Sequence, residues 1–269
     1  MCLEGSGKPR ACLAGGDGTQ WRNWMGATYK RFGGRLVLAA ALAACLASGA
    51  AQAGPFAEFE SDLRGVYAIY RNALFATNQN KPEESAKTVA ALSQGWSKLE
   101  AKWAKAAPPQ YADDAQFAPT LSEAAKDIAT ASKQIADGQL GVAHLTLEKI
   151  RDQLGALRVR NNISTSSDRM NEFHEEMEKT LEHLKGDLTP AALGALRGEA
   201  AVLAYLADRI AAAPPPEAKG STDFDKLIGA TKAAVKSLRE AVASGDAAGA
   251  KRALMGLKKP YAMLFLKFG

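Results

Sequence analysis

Residues 106 to 120 read "AAPPQYADDAQFAPT", and residues 212 to 224 read "AAPPPEAKGSTDF". Each stretch holds consecutive prolines, which stop a helix because the ring removes a backbone donor and restricts the residue before it. Each then runs through polar residues to a phenylalanine. Shifting the chain against itself by 107 residues superimposes the two without a gap: Pro108 and Pro109 fall on Pro215 and Pro216, Phe117 on Phe224, and Ala136, Asp137 and Gly138 on Ala243, Ser244 and Gly245. Apolar positions follow the same offset. Trp96, Leu99 and Trp103 meet Leu203, Leu206 and Ile210, while Leu147, Ile150, Leu154 and Leu157 meet Leu254, Leu257, Tyr261 and Leu264.

The remaining breaks, "NQNKPEES" (78 to 85), "ADGQ" (136 to 139), "NNISTSSD" (161 to 168), "KGDLTP" (185 to 190) and "ASGD" (243 to 246), cut the rest into segments of about 20 residues. These are rich in Ala, Leu, Glu and Lys and lack the alternating β-branched runs of a sheet. The expected fold is all-α: two tandem up-down-up-down four-helix bundles, residues 54–162 and 163–269, after an N-terminal signal peptide.

Residues 30 to 53, "KRFGGRLVLAAALAACLASGAAQA", have the basic patch, short apolar run and small-residue ending of a secretory signal. The run is too short to span a bilayer. Met25 stands where such a signal would start, so Met1 to Trp24 reads as an over-extended start. Leu42 to Cys45 resembles a lipobox, which would anchor the chain through a lipid on Cys45. The apolar run continues through Leu46 and Ala47, however, and Ala51-Gln52-Ala53 lies downstream, so cleavage after Ala53 and a periplasmic location are expected.

Cleavage there removes Cys2, Cys12 and Cys45, the only cysteines, which excludes disulfides, thiolate metal sites and CxxCH haem attachment. The formal charge of +5 falls to near neutrality, with 28 Lys and Arg against 27 Asp and Glu in residues 54–269, which gives no case for nucleic-acid binding.

The order helix, short loop, helix ending "KAAPPQYADDAQF", helix ending "IADGQ", last helix resembles the soluble periplasmic b-type cytochrome family, cytochrome b-562, in both halves. The resemblance rests on loop placement and implies the bundle fold. It also implies haem held by a methionine early in the first helix and a histidine near the end of the fourth. Met170 lies at the methionine position of the second half, but Phe265 stands at the histidine position, and the first half has Leu63 and Arg158 there. The resemblance therefore does not carry haem binding over, and haem with non-standard ligation stays as an alternative.

Within "SSDRMNEFHEEMEKTLEHL" (166 to 184), Met170, His174, Met177 and Leu181 share one helical face. The simplest role for such a stripe is core, since methionine fills cores and a lone histidine on an apolar face usually finds a neighbour. The first half supplies a control: its matching residues are Leu63, Tyr67, Tyr70 and Leu74, and methionines after residue 53 occur only in the second half, at 170, 177, 255 and 263. Thioether and imidazole suit Cu(I), and they are the soft ligands a cysteine-free chain has. The expected metal ligands are therefore Met170, His174, Met177 and, from the last helix, Met263, with copper the favoured ion. Glu178, one turn after His174, could serve a harder metal. His144 reads as structural or solvent-facing, because its counterpart is Lys251.

No phosphate loop, nucleophile elbow, HExxH or Glu-x-x-His pair is present, so no enzyme is expected. The remaining alternative is a cofactor-free module that binds a periplasmic or membrane partner protein. Intact mass and thiol labelling of exported material are expected to place its first residue at Gly54, with no free thiol; a lipid-modified chain starting at Cys45 would reverse that assignment.

Overall fold

Pro55, Pro82 and Pro190 stand in the first turns of three helices, where the missing backbone donor has no intrahelical partner to lose. The computed structural model describes residues 54–269, so the expected signal peptide and all three cysteines lie outside the described residues. These residues form eight α-helices: α1 (Pro55–Asn78), α2 (Pro82–Trp103), α3 (Phe117–Ala136), α4 (Leu140–Arg160), α5 (Ser166–Leu181), α6 (Pro190–Ala212), α7 (Thr222–Ala243) and α8 (Ala247–Phe268). Short 3-10 turns lie at Pro109–Tyr111, Glu182–Lys185 and Pro216–Ala218. The described residues contain no strand, and no helix among them is long and apolar enough to cross a membrane.

The 107-residue offset carries α2, α3 and α4 onto α6, α7 and α8 to within two residues at every end, and one proline-led 3-10 turn onto the other. Helix α5 is the exception. It lacks the first turn of α1 and finishes in 3-10 geometry, so it is 16 residues long against 24.

Four helices end alike. Gly138 and Gly245 adopt left-handed φ of 75° and 73° after α3 and α7, and Asn80 and Asn162 adopt 53° and 55° after α1 and α4. Asparagine is among the few residues with a Cβ that accept this region. In each case the next amide reaches back five residues: Lys81 to Ala76, Gln139 to Gln134, Ile163 to Arg158 and Asp246 to Ala241.

Helix starts differ between the halves. None of α1 to α4 has a side-chain cap, whereas Thr165, Thr189, Ser221 and Asp246 each accept an amide hydrogen bond at the starts of α5 to α8. Such a cap is worth about 1 kcal/mol.

Within α1 to α4 and within α5 to α8 each helix packs on the next, α1 also packs on α4 and α5 on α8, and α8 packs on α1. Two apolar clusters result, one from α1 to α4 and one from α5 to α8, and Phe265 packs against both. In the first, Phe59 meets Trp103, Tyr111 and Phe117 edge-on, each at 5.5 Å between ring centroids. Burying a side chain of this size contributes about 1.5–3 kcal/mol. Two buried hydroxyls are satisfied across the first and last helices of each half: Tyr70 donates to the Leu147 carbonyl at 2.9 Å and Tyr261 to the Met170 carbonyl at 3.0 Å.

Two buried arginines join the halves. Arg158 on α4 donates through Nε to both Asp168 oxygens on α5, at 2.7 and 2.9 Å. Asp168 also receives the Thr165 amide and hydroxyl, completing a capping box. Arg71 on α1 donates to the Leu266 carbonyl at 3.1 Å, the Lys267 carbonyl at 3.2 Å and the Gly269 carbonyl, at the end of α8 where helix carbonyls lack intrahelical donors.

Replacing one partner of a buried ion pair strands the other. Arg158→Met is expected to cost about 3 kcal/mol in urea denaturation. Adding Asp168→Asn, which keeps a capping side chain, should recover most of that loss; recovery of none of it would show that Arg158 acts by packing alone.

Candidate functional site

Helix α5 buries Met170, Phe173, Met177 and Thr180 completely, while the His174 side chain keeps 19 % of its surface. At 100° per residue the four fully buried positions span roughly 80°, and His174 lies about 40° beyond one edge of that stripe. The histidine is therefore on the rim of the core, where α5 turns toward the first half.

There α1, α4, α5 and α8 enclose a cavity of about 90 Å³, room for a few water molecules or an ion. His174 and Met177 line it from α5, His144 and Arg151 from α4, Arg71 from α1, and Lys258 from α8. Of the four residues expected as ligands, the fold brings His174 and Met177 to this space. Met170 does not line it. It is packed into the second apolar cluster, with its carbonyl held by Tyr261. Met263 does not line it either; its side chain is on the exposed face of α8.

The sequence did not single out His144 as a ligand, yet it lies at the same cavity as His174. Glu148 stands between the two rings, its Oε1 3.8 Å from His144 Nε2 and 3.9 Å from His174 Nε2. The His144 Nδ1 is 3.0 Å from the Thr77 hydroxyl on α1, which fixes the ring and leaves Nε2 toward the cavity side. The signal available in sequence was the spacing of His144 and Glu148 by one helical turn; that His174 would face the same carboxylate depends on contact between the halves.

Burial is the main cause that pushes both imidazoles below their ordinary range. His174 falls to about 4, helped by the Arg151 and Lys258 cations and by His144, and opposed by Glu178. His144 is also lowered, with Glu148 opposing. Both rings are neutral at pH 7, the state in which imidazole ligates metal. The cations around them are occupied: Lys258 pairs with Glu178 at 2.9 Å, Arg151 with Glu148 at 3.5 Å, and Arg71 with the carbonyls of α8. Among the described residues, no group of three or more His, Cys, Asp or Glu side chains is placed to hold a metal ion. A metal here would need the Met177 thioether beside the imidazoles.

His183 lies apart, its Nε2 3.2 Å from a Glu199 carboxylate oxygen, between the 3-10 turn and α6. Of the acidic residues on α5, Glu178 is taken by Lys258 and Glu172 by Arg209. Comparison with protein families, curated proteins and solved structures finds no match to this chain.

The depressed imidazoles make stability depend on pH. The unfolded chain takes up the His174 proton near 6.5 and the folded chain only near 4, so unfolding binds a proton between those values. Stability is expected to fall as pH drops from about 6.5 to about 4, by at most about 1.4 kcal/mol per pH unit for this one group. His174→Tyr, the counterpart residue Tyr67, should flatten that fall in urea titrations over the same range. An unchanged slope would mean that other groups govern it.

Proposed function

We propose that the chain is an exported, non-enzymatic protein of two tandem up-down-up-down four-helix bundles, residues 54–162 and 163–269, which resembles the cytochrome b-562 family in fold and carries a transition metal. Coincidence of the helix ends at the 107-residue offset, and the closing of each set of four helices on itself, support the tandem architecture. Copper, as Cu(I), is the ion. The observation that carries this reading is the cavity where His174 and Met177 of the second half meet His144 of the first. Two neutral imidazoles and a thioether form a soft to borderline donor set, and a monovalent ion suits a site whose flanking charges are already balanced. A soft ion held by few ligands fits handling or transfer in the periplasm.

In this reading Met170 and Met263 play no part as ligands; one is core and the other is exposed. Haem with non-standard ligation is the second reading, and it rests on the resemblance alone.

Purified without a histidine tag, the chain is expected to retain one Cu(I) in competition with a colorimetric chelator. His174→Tyr with Met177→Tyr, which restores the residue types of the first half, should weaken retention by at least about tenfold, and His144→Gln should weaken it as well. Both tyrosines already serve the core of the first half, although the added rings could overpack this site by about 1–3 kcal/mol, so folding is checked by circular dichroism. Equal retention by the wild type and the folded variant would remove copper from this site, and a Soret band in the protein as isolated would favour haem.

A further inference from the structure

Along the inter-half contact from the histidines, a second cavity of about 230 Å³ opens at the start of α5. It has no counterpart among the residues singled out for chemistry. Its wall is arginine-rich: Arg64 from α1, Arg158 from α4 and Arg169 from α5 all line it. Asp168 holds Arg158, a residue only 3 % exposed, through Nε and pairs with its Nη2 at 2.6 Å. Arg64 and Arg169 form no ion pair among the described residues.

Tyr67 lines the same cavity, is 4 % exposed, and its hydroxyl has no hydrogen-bond partner. Asn171 approaches it, yet its own Oδ1 is also unpaired. A buried hydroxyl left without a partner costs free energy that a ligand would return. Ser166 and Ser167 bring the first amides of α5 to this space, and those amides lack intrahelical acceptors. Asp168, which caps the helix and pairs with Arg158, is not among the residues lining this cavity.

We infer that this cavity is a binding site for the oxyanion group of a small organic molecule, a phosphate or a carboxylate, held by Arg64, Arg158 and Arg169, the Tyr67 hydroxyl and the first amides of α5. Guanidinium matches both oxyanions through paired N–H donors, and a helix N-terminus favours negative charge. The one carboxyl among the lining residues is Glu60, which burial shifts upward while Arg158 and Arg64 pull it down. The volume falls short of the roughly 300 Å³ at which drug-sized pockets begin, so the ligand is small. Nothing in this site depends on copper.

The test is amide NMR of the folded chain, titrated separately with inorganic phosphate and with acetate, each against sodium chloride at equal ionic strength. Saturable shifts of the Ser166 and Ser167 amides are expected with at least one of the two oxyanions, and the one that saturates lower identifies the ligand class. Arg64→Gln with Arg169→Gln removes two arginines that hold no structural pair. It should raise the half-saturating concentration at least about tenfold, and Tyr67→Phe should raise it severalfold, with circular dichroism unchanged. Shifts reproduced by chloride, or a double variant with the wild-type half-saturation, would overturn the site.

Discussion

Asp168 does three things at once: it receives the Thr165 amide and hydroxyl, starts α5, and binds the buried guanidinium of Arg158 on α4. A guanidinium taken out of water needs a partner of good geometry, and only one orientation of α5 supplies it. The direction of α5 against the first half follows, and with it the positions of His174 and Met177 six and nine residues further on. Arg71 repeats the device at the other end of the contact, holding the last carbonyls of α8. The halves are therefore joined by two charged groups whose hydrogen bonds are directional, with Phe265 as the apolar residue common to both cores.

The contact between the halves is polar where each separate core is apolar. Tyr67, Arg158, Asn171, His144 and His174 all lie along it, and the buried Tyr67 hydroxyl and Asn171 Oδ1 have no protein partner. Apolar packing would have been the more stable way to join two helical sets, since unpaired buried polar groups are costly. Retaining them makes sense if ligands complete them, and the cavity beside His144 and His174 and the arginine-lined cavity lie at different levels along this one seam. The second half differs from the first in the same place: Tyr67 and Tyr70 give way to His174 and Met177, while the positions deep in each core keep their apolar type.

The helix count and nearly every helix limit were legible in the residues. Asparagine and glycine after the helices, proline at the first turns, and Ser, Thr or Asp at the starts of α5 to α8 act on backbone groups within one turn, so their effect survives whatever the rest of the chain does. Pro260 is the local signal that did not stop a helix. Helix α8 runs through it, its apolar face buried from Ala250 to Phe268, and that burial outweighs one missing backbone hydrogen bond. Periodicity likewise placed Met170 and Met177 on the buried side of α5.

Sequence pattern alone pointed to an all-α fold for the described residues, to matching breaks at an offset of 107 residues, and to Met170, His174 and Met177 sharing one face of one helix; each is a relation between residues a few turns apart or an exact translation along the chain. Tertiary structure decided which of those residues meet anything else. It sent Met170 into the core and Met263 to the surface, and it placed His144 across Glu148 from His174, although 30 residues and a change of half separate the two histidines. The stagger of α4 against α5 sets that meeting, and the stagger depends on where Arg158 finds Asp168. A helical pattern in sequence carries angle around one axis; the offset between two axes comes only from the contacts that join them.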